Sequence, residues 1–151
     1  MLFLYIGCNK DEPDEKWEEM SSINEMVKPN TVLLVDDEDY ILKFTSVLLR
    51  ASGYQVLTAT NGIRALDIIR SGIVDLMVTD IIMPELDGIT LIKQIRAFSK
   101  VPIVVLSAAE SDQKRVDAIQ KGADDYFPKP FDPERLVACI RTRLLLLEAH
   151  S

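Results

Sequence analysis

From Thr31 onward, short apolar runs rich in β-favouring residues alternate with stretches whose apolar residues recur at helical spacing. That alternation constrains the fold more than any other feature of the chain. TVLLV (31–35) reads as a buried strand, and Glu38 to Ala51, with Ile41, Leu42, Val47 and Leu48 in register, as a helix that stops before Gly53. YQVLTA (54–59) is a second strand, and Asn61-Gly62 opens a helix to about Ser71. VDLMVTD (74–80) is a third strand, followed by a loop containing Pro84 and Gly88 and a helix through Phe98. PIVVLSA (102–108) is the fourth, then a polar helix from Ser111 to Lys121, a short strand from Asp125 to Phe127, and a last helix from Pro133 to about Glu148. Five strands alternating with five helices imply parallel pairing through right-handed crossovers. Runs such as LMV and IVVL suit strands covered on both faces. The expected class is therefore α/β, an open, doubly wound sheet that binds its ligand beyond the carboxyl ends of the strands.

The alternation leaves residues 1–30 outside it. They form an acidic, weakly patterned arm with seven acids against three lysines, expected to be a flexible extension. It reads as a segment of a longer parent or as an overextended start ahead of Met20. MLFLYIGC is apolar but too short for a signal peptide or a membrane span. The net charge of −7 speaks against nucleic-acid binding by this chain, since a phosphate backbone needs a basic stripe. Cys8 and Cys139 match no metal or redox spacing, so a reducing, cytoplasmic setting is expected. Residues 31–148 then make one domain and 149–151 a short tail.

At the carboxyl edge the first strand ends in Asp36 and Asp37, the third in Asp80, the fourth in Ser107, and the fifth leads to Lys129. Each alone is weak: acids after a strand also cap helices, and Glu38 and Asp39 read only as such caps. Together, three carboxylates make a site for a hard divalent cation, Mg²⁺ first and Mn²⁺ in its place. A carboxylate can itself attack phosphorus to form an aspartyl phosphate. Asp80 suits that role, with Asp36 and Asp37 holding the metal, Lys129 neutralising phosphoryl oxygens and Ser107 donating to one of them. His150, the sole histidine, sits next to the end, so the phosphate must come from elsewhere.

VLLVDDE, VTDIIMPELDGITLIKQIR, PIVVLSA and GADDYFPKPF resemble the receiver domain of two-component response regulators, from about Val32 to Leu147. The resemblance implies a flavodoxin-like five-stranded sheet of order 2-1-3-4-5 with five helices. It also implies phosphorylation of Asp80 by a sensor histidine kinase or a phosphotransfer protein. By the same likeness the metal is held by Asp36, Asp37, Asp80 and the Ile82 backbone carbonyl, with Asp37 and Asp80 closest to it. Ser107 and Lys129 sense the phosphoryl group, and Tyr126 is the aromatic that turns inward when Ser107 engages it. Hydrolysis is tuned at Ile82 and Ala109, whose apolar side chains imply slow autodephosphorylation.

Output is expected through the surface of the fourth helix, fifth strand and fifth helix, toward a partner or a second copy. GADDY followed by KPF resembles receivers joined to winged-helix DNA-binding domains, which read E-L-x-A-R further on. Here the stretch is Arg135-Leu136-Val137-Ala138-Cys139, so Asp124 and Asp125 need other partners, for which Arg141 and Arg143 are available. A receiver module of a hybrid kinase or of a truncated DNA-binding regulator fits equally. A Mg²⁺-dependent phosphatase is disfavoured because Ile82 stands where such enzymes carry a second acid. An FMN binder lacks its phosphate loop after Val35, and a pseudoreceiver would not need the full residue set.

Overall fold

The computed structural model describes residues 28–108 and 112–149. Along the chain run β1 (Thr31–Val35), α1 (Asp39–Ala51), β2 (Gln55–Ala59), α2 (Gly62–Arg70), β3 (Leu76–Thr79), α3 (Gly88–Arg96), β4 (Ile103–Ser107), α4 (Asp112–Lys121), β5 (Asp125–Pro128) and α5 (Pro133–Ala149). All neighbouring strands pair parallel, in the order β2-β1-β3-β4-β5. The sequence reading therefore holds in class, topology and element order, and the differences lie at element ends. The third strand begins at Leu76 rather than Val74. Asp75 lies at the foot of the sheet, where its carboxylate accepts the Thr31 amide at 2.7 Å and its own amide donates to the Thr31 carbonyl at 2.9 Å.

The uninterrupted apolar strand runs are explained by two cores. Leu33, Val35, Met77, Ile103 and Val105 pack with Ala65, Leu66, Leu91, Ile92, Ile95 and Ala118 from α2, α3 and α4. Val32, Leu34, Leu76, Val78, Val104 and Leu106 pack with Leu42, Leu49, Leu136, Ile140 and Leu144 from α1 and α5. Alternate residues of each strand thus feed opposite cores, as the pleat demands. Burying any one of these large side chains contributes about 1.5–3 kcal/mol, so the sheet is a rigid base for whatever follows its strands.

Candidate functional site

Register alone brings the key acids together. Val35 pairs with Thr79, so the next residues, Asp36 and Asp80, extend β1 and β3 side by side at the carboxyl edge. Backbone bonds hold both there: the Asp36 amide donates to the Ala59 carbonyl at 3.1 Å and the Asp80 amide to the Val35 carbonyl at 3.0 Å. On the other flank, Ser107 pairs with Pro128 at the end of β4 and β5. The Lys129 amide donates to the Ser107 carbonyl at 2.9 Å, and the Lys129–Pro130 peptide is cis.

Lys129 reaches from there into the acid cluster. Its ammonium donates to Asp36 Oδ2 at 2.6 Å and to Asp80 Oδ2 at 3.0 Å, with Glu38 Oε1 at 3.8 Å. The side chains of Lys129, Asp36 and Asp80 are only 9%, 5% and 6% exposed. Asp80 Oδ1 accepts the Ile81 and Ile82 amides at 2.6 and 3.2 Å, which fixes the direction of its carboxylate. Burial pushes the Asp36 carboxyl above its ordinary range, with the Lys129 hydrogen bond pulling the other way. Burial would lower the Lys129 ammonium, but hydrogen bonds to Asp36 and Asp80 outweigh it and raise the group above its usual value.

Carboxylate oxygens of Asp36, Glu38 and Asp80 lie within 4.8 Å of one another, a hard, all-oxygen donor set of the kind that suits Mg²⁺. The sequence reading gives Glu38 the role of a helix cap only and does not place it among the acids at this edge. Glu38 does occupy the cap position of α1, but its side chain makes no capping hydrogen bond. Its amide goes to Asp36 Oδ1 at 2.9 Å, and its carboxylate turns toward Lys129. Asp37 is exposed and is not part of that group of oxygens.

Ser107 is fully buried at the end of β4. Tyr126, half-buried on β5, packs against the core under α2, α3 and α4 and is hydrogen-bonded to Ser107. Burial raises its phenol above the ordinary value, and the Arg115 guanidinium stands 6.0 Å from the ring centroid. The Ile82 side chain is exposed on the loop after Asp80, and Ala109 lies outside the described residues. On the β5 side, Asp124 is held by Arg96 at 3.2 Å and Asp125 by Arg143. Arg143 thus takes one of the two acids, as expected, while Arg96 from α3 takes the other. Cys139 donates to Asp125 at 3.2 Å, and burial pushes its thiol up to about 12.

A parallel α/β sheet with buried carboxylates and a lysine at its carboxyl edge defines a receiver-type module. The comparisons specify which one: the chain belongs to the response regulator receiver domain family, whose model matches residues 32–141. It is a receiver domain of the two-component response regulator kind. It is 39% identical over 121 residues to the transcriptional regulatory protein CpxR of Escherichia coli K12, covering 80% of this chain and 51% of that protein. To the response regulator GtcR of Aneurinibacillus migulanus it is 39% identical over 114 residues, covering 76% and 47%. The chain therefore spans about half the length of the curated relatives it matches. Among solved structures it resembles a CheY-like receiver domain protein from Methanospirillum hungatei (TM-score 0.78, 26% identity, 82% of this chain and 100% of that one). It also resembles the Francisella response regulator 1452 receiver domain (TM-score 0.74, 31% identity, 78% and 98%). Among the described residues no helix is long and apolar enough to cross a membrane.

Proposed function

We propose that Asp80 is the phosphoacceptor of this receiver and that the donor is a phosphohistidine on a sensor kinase or phosphotransfer protein. The carrying observation is the Lys129 ammonium lodged between Asp36 and Asp80 at 2.6 and 3.0 Å. An Asp80 carboxylate oxygen forms a bond to phosphorus as the bond from phosphorus to the donor's imidazole nitrogen breaks, and that nitrogen keeps the electron pair. Lys129 neutralises a phosphoryl oxygen and Ser107 donates to another. Asp36, Asp37 and Asp80, with the Ile82 carbonyl, are assigned to a Mg²⁺ or Mn²⁺ ion, and Glu38 joins them on the strength of its oxygens' proximity. The ion, when bound, offsets the negative charge that gathers as phosphate meets carboxylate.

Phosphorylation adds charge and acceptor oxygens that draw Ser107 and reset Tyr126, which biases the surface formed by α4, β5 and α5 toward its partner or a second copy. The chain turns over no substrate of its own beyond gaining and losing this phosphate, binds no nucleic acid directly, and works in the cytoplasm. The apolar residue types at positions 82 and 109 of the sequence favour slow dephosphorylation. Incubation with acetyl phosphate, with and without Mg²⁺, followed by intact mass tests the reading. A metal-dependent covalent adduct is expected on the wild type and none on Asp80→Asn. An adduct that survives Asp80→Asn would place the acceptor elsewhere.

A further inference from the structure

The strand that carries Asp80 ends against the first turn of α3, and this contact is backbone on backbone. The Gly88 amide donates to the Ile81 carbonyl at 2.7 Å. A methyl group at Gly88 would fall 2.1 Å from the carbonyl oxygen of Asp80 and 2.7 Å from the Cα of Ile81. Gly88 is not among the glycines with positive φ, so the position demands room, not conformational freedom. The crowding atoms belong to the main chain, so no side chain can swing aside.

Nor can α3 retreat easily. Leu91, Ile92 and Ile95 on this helix are fully buried, and Asp87 fixes its start by accepting the Thr90 amide at 2.9 Å. A displaced methyl would instead push on residues 80–82. That segment sets the acceptor's aim: Asp80 Oδ1 takes its hydrogen bonds from the Ile81 and Ile82 amides, and the Asp80 carbonyl oxygen takes one from the Thr79 hydroxyl at 2.9 Å. Crowding at Gly88 therefore reaches the carboxylate through the peptide units that aim it.

We propose that Gly88 is a positioning residue for phosphoryl acceptance, its missing side chain letting α3 clamp the Asp80–Ile82 backbone in the geometry that presents the carboxylate. The inference rests on Asp80 being the acceptor. Gly62 supplies a control with a milder clash: it also opens a helix at this edge, and an added methyl there would meet the Leu86 side chain and carbonyl oxygen at 3.0 Å, with no atom of residues 80–82 among its nearest contacts.

Gly88→Ala and Gly62→Ala are compared for the rate of adduct formation from acetyl phosphate at saturating Mg²⁺, at a temperature where unfolding curves show each variant fully folded. Gly88→Ala is expected to lower the rate at least about tenfold, because displacements of an ångström at a reacting group carry losses of this order. Gly62→Ala is expected to stay within about twofold, its clash lying off the reacting group. Equal rates in the two variants, or a Gly88→Ala rate equal to wild type, would overturn the inference. If Gly88→Ala does not fold, hydrogen exchange of the wild type decides. With Mg²⁺ and beryllium fluoride the Gly88 amide should gain more protection than the Gly62 amide, and equal gains would overturn the proposal. A wild type that takes no adduct at all would bring down the acceptor assignment itself, a result distinct from either.

Discussion

At the carboxyl edge one lysine serves three carboxylates, whereas beside β5 each acid has its own arginine. Lys129 meets Asp36, Asp80 and Glu38, while Arg96 holds Asp124 and Arg143 holds Asp125. The pKa directions differ accordingly. Burial drives Asp36 up despite its lysine, but at Asp125 burial is outweighed by the hydrogen bonds from Arg143 and Cys139 and by the Arg143 charge, which bring the group down. One-to-one pairing on a half-exposed surface is what structural economy produces. A buried surplus of negative charge is costly to fold and calls for a cation or a phosphoryl-handling role to explain it.

The comparison breaks most visibly at Lys129. Lys129→Met leaves two nearly buried carboxylates facing each other without a base, and is expected to lower stability by about 3 kcal/mol in metal-free buffer. Urea unfolding measures it, and excess Mg²⁺ should restore part of the loss by binding the folded state. A loss no larger than that of an exposed ion pair, below about 1 kcal/mol, would mean that the edge tolerates its surplus unaided. The Lys129 contribution, with the folded-state pKa raised, is fully present below the ordinary lysine range and disappears as pH climbs through the raised value.

How much of this was legible in the sequence follows the range of each interaction. Asp36, Asp80, Ser107 and Lys129 could be placed at one edge because Ser107 ends a recognisable strand and the other three directly follow one, and parallel topology does the rest. Glu38 could not, because an acid at a helix start ordinarily caps the helix, and only the fold shows that this exposed side chain makes no capping bond and lies 3.8 Å from Lys129. Arg96 was equally hidden. In the last turn of α3 it reads as a solvated base complementing the helix dipole, but the fold brings Gly122 and Asp124 to it from more than twenty residues away.

The next largest effect is expected at Arg96. Its Nε donates to the Gly122 carbonyl at 3.0 Å, its Nη1 to the Ser99 and Val101 carbonyls at 3.2 and 2.6 Å, and its Nη2 to Asp124. Arg96→Ala orphans several acceptors and should lower stability by about 2 kcal/mol while leaving adduct formation by the remaining folded protein unchanged. Arg96→Lys should recover little, since an ammonium cannot reproduce the guanidinium fork. A fall in the phosphorylation rate of folded protein would erase the distinction between the two regions.

Arg143 gives the smallest change and the sharpest test of sign. Both members of its pair with Asp125 are about one-third exposed, so Arg143→Met is expected to lower stability by only about 0.5 kcal/mol, less in high salt. Asp125 titrates below its ordinary value in the folded state, so the pair's contribution is present above the unfolded carboxyl range and is lost as pH falls through the depressed value. The gap in urea midpoint between wild type and Arg143→Met should therefore close as the buffer is taken from neutrality into strong acid. The Cys139 thiol remains protonated throughout, so it stays a donor to Asp125 and does not blur the trend. Asp36 should act in the opposite direction in metal-free protein: its raised value favours the neutral carboxyl on folding, and stability falls as pH rises through it. If Asp36→Asn flattens that fall while Arg143→Met leaves it in place, the two regions differ in kind; if both variants shift the acid limb alike, the edge is only a more deeply buried version of the β5 surface.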